Sequence, residues 1–191
     1  MNQKLLVKGI EIIGVLFAAF GGFLAGIAPP QAADARFAVG LSSFLALIIL
    51  FIIAALSGKK YLRAWIIAGA CLLVLAVGAA YYYKTAYDSL TFEYPPGNKE
   101  VEHIAGTELT RAAKTYKQQH EGISNSELLA QYGGLQNKGK VWTEDSINSA
   151  RTKLISSYVV LVLALASAIF ALTEGALGST PRPTCRKADE P

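Results

Sequence analysis

The chain alternates between long apolar runs and shorter polar segments. Four apolar runs lie at residues 9–28, 37–57, 64–83 and 154–173. A helix rises about 1.5 Å per residue and the hydrocarbon core of a bilayer is about 30 Å thick, so about 20 apolar residues cross it. The pattern therefore predicts an all-α membrane protein with four transmembrane helices.

The longest polar segment separates the third apolar run from the fourth. The predicted organisation is a three-helix membrane region at 1–83, a small polar domain at 84–150, a fourth transmembrane helix at 151–174 and a tail at 175–191. The tail is proline-rich and polar, a composition typical of disordered segments.

The polar domain carries the signals of a small, mainly helical fold. LTFEY and EVEHI flank the turn-forming sequence PPGNK, which indicates a β-hairpin. A helix is predicted after Thr107, in ELTRAAKTYKQQH. Ser124 and Glu127 have the spacing of a capping box, so a short helix is expected from about Asn125 to Tyr132.

The last predicted helix of the polar domain begins after Thr143, in VWTEDSINSARTKL. No glycine or proline interrupts the sequence between this start and the fourth apolar run. Glu144 and Asp145 lie in its first turn, where carboxylates favour the helix dipole. We therefore expect one continuous helix of about 30 residues that couples the polar domain to the bilayer.

The charge of the chain is modest and its position is more informative than its size. The sequence has 18 basic and 14 acidic residues, a formal charge of +4, with no block of five or six basic residues. Because most basic residues flank the apolar runs, they are interpreted as topology signals and nucleic-acid binding is not expected. The predicted partners are the lipid bilayer and a protein partner or a second copy of the chain.

Basic residues in short loops predict the orientation, because they are retained in the cytoplasm. The loop between the first two runs holds only Arg36. The other side holds many: Lys4, Lys8, Lys59, Lys60, Arg63, Arg182, Arg186 and Lys187. Both termini are therefore predicted to be cytoplasmic in a plasma (inner) membrane, with residues 84–153 extracytoplasmic. Lys84, Arg151 and Lys153 weaken this asymmetry, so the reverse topology stays open.

The first apolar run contains a stripe of small residues. Gly14, Ala18, Gly22 and Gly26 recur every four residues and lie on one helical face, where another helix can approach closely. Packing against another span of the same chain is the simpler interpretation, and dimerisation is the alternative.

Glu11 is the ionisable residue that lies well within an apolar run. It follows Lys8 by three residues on the same helical face, near the start of the run. An interfacial ion pair between Lys8 and Glu11 is therefore expected in preference to a proton relay.

No constellation of residues in the sequence predicts catalysis, a metal site or a cofactor. His103 and His120 have no partner at metal-ligand spacing, and Cys71 lies in an apolar run whereas Cys185 lies in the tail. The chain is therefore predicted not to be an enzyme. Trp142 and Arg151 are candidates for the core of the polar domain or for a partner-binding surface, and ligand stacking on Trp142 is a further interpretation.

The order of GTELT, SNSELLAQYGG and VWTEDSI, followed by Arg151, resembles a group of small uncharacterised bacterial four-span membrane proteins from defence and stress gene neighbourhoods. The resemblance covers about residues 106–158. It implies no activity, and a defence role would favour a cytoplasmic polar domain, contrary to the charge distribution.

Two functional hypotheses follow from the sequence. The first is a non-enzymatic membrane protein whose polar domain binds a partner or senses a condition, with the last helix transmitting the change. The second is an oligomeric pore-forming or membrane-disrupting effector, which the small-residue stripe of the first run would assist.

Overall fold

A computed structural model of the chain describes residues 27–56, 62–95 and 102–177. The elements in chain order are α1 Ala32–Leu56, α2 Leu62–Leu90, β1 Thr91–Glu93, β2 Glu102–Ile104, α3 Arg111–Gln119, α4 Asn125–Gln131, a 3₁₀ turn Leu135–Asn137, α5 Lys138–Val141 and α6 Glu144–Leu177. Three long helices form one part of the molecule, and the shorter elements between α2 and α6 form the polar domain.

The three long helices have the length and composition of membrane spans. The apolar windows lie within Ala33–Ile53, Leu62–Leu90 and Glu144–Ala176, with mean hydropathies of 2.4, 2.2 and 2.4. These helices correspond to the second, third and fourth predicted spans. The first predicted span, at 9–28, lies almost entirely outside the described residues, so the described part of the chain has three helices apolar enough to cross a membrane.

Helix α6 packs against both of the other long helices, most extensively against α2. Small residues allow the close approach: a Cβ placed on Gly69 of α2 would lie 2.7 Å from the side chain of Leu172. In the same way, a Cβ on Gly175 of α6 would lie 2.5 Å from Ile66. The close helix contact thus involves glycines that the sequence analysis did not select, whereas Gly14, Ala18, Gly22 and Gly26 lie outside the described residues.

Helix α2 extends seven residues beyond its predicted end at Tyr83, to Leu90. The extra two turns bury Ala86 and Leu90 against the helix bundle, and Lys84 pairs with Asp88 at 2.7 Å along the exposed face. The charged residues after Tyr83 are therefore compatible with helix, because the buried face continues past the apolar run.

The predicted continuous final helix is confirmed. Helix α6 has 34 residues without interruption, so it is about 51 Å long. This length exceeds the thickness of the hydrocarbon core by about 20 Å. The additional length is the first part of α6, which packs in the polar domain. The boundary between the predicted polar domain and fourth span therefore lies inside one helix.

The polar domain begins with the predicted hairpin. Strands β1 and β2 pair antiparallel, with Phe92 opposite His103. The core of the domain is formed by side chains that are at most 2% exposed: Ala105, Ala113, Leu128, Leu129, Val141 and Trp142. This core is small, and it sits directly before the first turn of α6.

Local capping determines where the short helices begin and end. The predicted capping box is present: the Glu127 amide donates to Ser124 Oγ, and the Ser124 amide donates to the Glu127 carboxylate at 2.9 Å. Gly133 and Gly134, with φ of 88° and 82°, adopt a backbone conformation that ends α4. Thr110 caps α3 and also donates to the Lys140 carbonyl at 2.6 Å, joining α3 to α5.

Candidate functional site

Polar and aromatic side chains converge where the three long helices meet the polar domain. We call this region the membrane junction and define it by Asp34 of α1, Tyr83 and Tyr87 of α2, and Arg151 and Tyr158 of α6. Each residue contacts an element other than its own, so the junction is the place where a change in one part of the molecule can reach another.

An ion pair joins α1 to α6 at the membrane junction. Arg151 Nε donates to Asp34 Oδ1 at 2.6 Å, and the Nη2 group also contacts this oxygen. The Asp34 side chain is 1% exposed and that of Arg151 is 45% exposed. Asp34 lies in the first turn of α1, where the helix dipole favours a carboxylate. The pair therefore fixes α1 to α6 through a buried anion and a half-exposed cation.

The second oxygen of Asp34 has no hydrogen-bond partner among the described residues. A buried carboxylate with one unsatisfied oxygen depends strongly on its single cation, because burial without pairing is costly. Arg151 is consequently the group that makes burial of Asp34 tolerable.

A chain of tyrosine contacts links the other elements of the junction. The Tyr83 hydroxyl donates to the carbonyl of Ile27, just before α1. The Tyr83 ring lies 5.7 Å from that of Tyr158 and 5.9 Å from that of Tyr87. The Tyr87 hydroxyl donates to Glu102 in β2. The start of α1, the end of α2, the middle of α6 and the hairpin are thus connected through one cluster.

Trp142 anchors the polar domain to the start of α6. Its side chain is 2% exposed, and its ring centre lies 5.3 Å from that of Phe92. A Cβ on Gly106 would lie 2.6 Å from the Trp142 Cβ, so the chain after β2 passes directly against this residue. The structure places Trp142 in the domain core, where its buried ring presents no face to a ligand.

Ser146, in the first turn of α6, completes this anchor. Its hydroxyl contacts the carbonyls of Glu108 at 3.1 Å and Thr143 at 2.9 Å. The Thr143 amide also donates to the Glu108 carbonyl at 3.2 Å. The first turn of α6 is therefore held by the segment between β2 and α3 as well as by the hydrophobic core.

The histidines occupy different surroundings in the polar domain. His103 lies beside Phe92 and Tyr94, and burial, with a smaller effect of the Lys138 charge, lowers the pKa of His103. His120 is exposed and stacks on Tyr116 with ring centres 4.2 Å apart. Among the described residues, no group of three His, Cys, Asp or Glu side chains is arranged to hold a metal ion.

The structure brings together only some of the residues that the sequence singled out. Arg151 lies in the membrane junction, and Trp142 lies in the adjacent domain core. Lys8 and Glu11, like the small-residue stripe of the first run, lie outside the described residues. Asp34 was missed by the sequence analysis. Its position shortly after Pro30 and just before the second apolar run is a usable signal for a helix start.

Comparisons with family models, characterised proteins and solved structures find no match to this chain.

Proposed function

We propose that this chain is a non-enzymatic integral membrane protein whose polar domain binds a protein partner or senses a condition. Helix α6 transmits the change to the bilayer. The observation that carries the proposal is the uninterrupted path of α6 from the core around Trp142, through the junction at Arg151, to the end of the apolar bundle.

The junction supplies the means of transmission. A rotation or tilt of α6 would alter the contact of Arg151 with Asp34 and the contact of Tyr158 with Tyr83, so α1 and α2 would respond together. Packed helices respond to small displacements by moving as units. A partner that repositions the polar domain would thereby change the arrangement of the helices inside the membrane.

The proposed topology has four spans, with residues 9–28 as the first, and both termini on the cytoplasmic side of a bacterial inner membrane. It is supported by the Tyr83 contact with the Ile27 carbonyl, which brings the chain before α1 to the same side of the bilayer as the polar domain. A span at 9–28 would then start on the opposite side, together with the end of α6. Residues 84–153 would be extracytoplasmic by the distribution of basic residues.

The topology is tested with single cysteines at Gln118 and Gly178, in a background carrying Cys71→Ala and Cys185→Ser. Intact cells are treated with a membrane-impermeant maleimide. Labelling at Gln118 but not at Gly178 is expected. The opposite pattern would place the polar domain in the cytoplasm and overturn the proposed orientation.

The partner is tested with a photo-crosslinking amino acid placed at Lys114 or Glu121, which are exposed on the polar domain, and at Phe51 as the control. Phe51 is 74% exposed on the apolar face of α1. A discrete protein adduct from the polar-domain positions, absent at Phe51, is expected. No adduct, together with dye leakage from liposomes that contain the purified chain, would instead support the pore-forming effector.

Transmission is tested by amide hydrogen exchange of the chain in nanodiscs, with and without the cross-linked partner. Exchange is expected to change in α6 on both sides of Arg151. Asn148→Pro interrupts the α6 hydrogen bonds between the domain and the junction, whereas Asn148→Ala preserves them. We expect both variants to bind the partner. Only the proline variant should lose the partner-dependent change in hydrogen exchange in the part of α6 beyond Arg151. A change confined to the polar domain in the wild type would contradict the proposal.

A further inference from the structure

A groove runs between α2 and α6 on the side of α6 opposite to Arg151. Its volume is about 420 Å³ and its lining is almost entirely apolar. The α2 wall includes Val74, Leu75, Gly78 and Tyr82, and the α6 wall includes Ser156 and Val160. From Tyr82 to Val74 the groove extends eight residues along α2, about 12 Å. We call it the α2–α6 groove.

Gly78 leaves the groove open at its centre. A Cβ placed on Gly78 would meet no atom within 4 Å, so the space in front of this glycine is open. Val74 and Leu75 are 73% and 63% exposed, and Val160 is 57% exposed. A concave apolar surface of this kind suits a flexible hydrocarbon chain.

Lys153 stands at the end of the groove nearest the polar domain. Its Nζ atom lies 5.8 Å from the centre of the Tyr82 ring, and the hydroxyls of Ser156 and Ser157 bond to the Lys153 carbonyl at 3.2 and 2.7 Å. Arg151 and Lys84 pair with carboxylates, but the salt bridges within the described part of the chain include none with Lys153. The ammonium group is therefore available to an anion above an apolar groove.

We infer that the α2–α6 groove binds one anionic phospholipid, with its phosphate against Lys153 and one acyl chain along Gly78 toward Val74. The bilayer leaflet on the side of the polar domain supplies this ligand. Cationic residues at the head of a groove between transmembrane helices recognise lipid headgroups through the same complementarity of charge and apolar surface. The inference stands independently of whether the polar domain binds a partner.

The path of the chain disfavours the first apolar run as the occupant. The Ile27 carbonyl accepts from Tyr83, whose side chain is buried in the cluster with Ala38 of α1 and Tyr158 of α6. The groove instead involves Tyr82, which points about 100° away from Tyr83 around α2. The chain before α1 therefore meets α2 about a quarter turn away from the side chain of Tyr82 that lines the groove.

The test uses the full chain in phosphatidylcholine nanodiscs that contain a minor fraction of a probe lipid. The probe is phosphatidylglycerol with a photoactivatable diazirine in one acyl chain, and the matched control probe is phosphatidylcholine with the same chain. Mass spectrometry then locates the adducts. We expect the anionic probe to label groove residues in preference to the apolar face of α1, and more strongly than the neutral probe does.

Two pairs of variants separate the headgroup contact from the acyl-chain contact. Lys153→Gln is expected to reduce groove labelling by the anionic probe about fivefold, the effect of one basic group at a membrane surface, while Lys153→Arg retains it. Gly78→Leu is expected to abolish groove labelling by filling the space. Gly40→Leu is the matched control, since a Cβ on Gly40 of α1 also meets no atom within 4 Å.

Circular dichroism and the unfolding temperature of each variant verify that the helices remain folded. Equal labelling by the anionic and neutral probes, or equal effects of the two glycine variants, would overturn the inference. A disulfide-linked dimer formed by Tyr82→Cys, in a chain with no other cysteine, would assign the groove to a second copy and would also overturn it.

Discussion

The polar domain and the three long helices differ in the side chains found at their closest contacts. The domain core buries large residues such as Trp142, Leu128 and Leu129, whereas the three long helices bury alanine and glycine where they approach most closely. Helix α6 also buries Leu154, Tyr158 and Phe170, but many other large residues of the long helices face outward. Phe51 and Val74, for example, are 74% and 73% exposed. In water, the removal of apolar area drives packing, but lipid is as apolar as a leucine side chain. Inside a bilayer, close backbone approach and polar contacts would therefore hold the three long helices together.

This comparison predicts that the largest loss of stability follows truncation in the polar-domain core. Trp142→Ala should lower the free energy of unfolding of that domain by about 3–5 kcal/mol, because it leaves a cavity beside Phe92 and Gly106. Urea titration followed by amide exchange measures the change. Leu135→Ala, at a position that is 39% exposed, should change it by less than about 0.5 kcal/mol. Similar losses in both variants would show that the core does not depend on Trp142.

The stability of the membrane junction should depend on the pairing of charges, whereas that of the domain core depends on the volume of its side chains. Arg151→Ala leaves the buried Asp34 carboxylate without its cation, at a cost of about 3 kcal/mol, since removal of one partner strands the other. Adding Asp34→Asn should recover part of the loss. The coupling energy from the four proteins of this double-mutant cycle, measured by unfolding in nanodiscs, tests the pair. Additive effects would mean that the two side chains do not stabilise each other.

The same substitution at two glycines of α2 compares a close helix contact with an open position. Gly69→Ala should destabilise the contact with α6 by about 1–3 kcal/mol, because the new methyl group overlaps Leu172. Gly78→Ala, where nothing lies within 4 Å, should be neutral or stabilising by up to about 1 kcal/mol, since alanine favours helix. The unfolding temperatures of the two variants, each compared with that of the wild type, measure these changes in stability. Equal behaviour would contradict the close approach at Gly69.

The smallest expected effect is a pH dependence confined to the polar domain. Burial lowers the pKa of His103 in the folded state, so the unfolded chain binds its proton more readily. The stabilising contribution is present above the unfolded pKa of about 6.5 and is lost as the pH falls below it. His103→Gln should flatten the stability profile of the domain between about pH 7 and pH 5. An unchanged slope in this variant would assign the dependence to another group.

Several local features could be predicted because neighbouring residues determine them. Ser124 and Glu127 lie three positions apart, which is the reach of a capping box, and the structure has one there. The absence of helix breakers between Thr143 and the last apolar run predicted the continuous α6. The three long helices within the described residues follow from runs of apolar sequence.

The candidate site was less predictable because its partners are distant in sequence. Arg151 was selected, but its partner Asp34 lies 117 residues away. Tyr83 was part of an apolar run, and nothing near it in the sequence indicates that its hydroxyl meets the Ile27 carbonyl 56 residues earlier. Such contacts require the relative rotation of three helices, which apolar composition does not specify when every face of a helix is hydrophobic.

By itself the sequence determined the long helices that are apolar enough to cross a membrane, the polar insertion before the final helix and the local caps. Run length and short-range hydrogen bonding depend on adjacent residues. Only the tertiary structure decided which faces of α1, α2 and α6 meet. As a result, Gly69 packs against α6 and Gly78 faces an open groove, although both are glycines in the same apolar helix. The physical reason is that lipid and protein offer similar apolar surroundings, so helix contacts depend on shape and polar pairing more than on hydrophobicity.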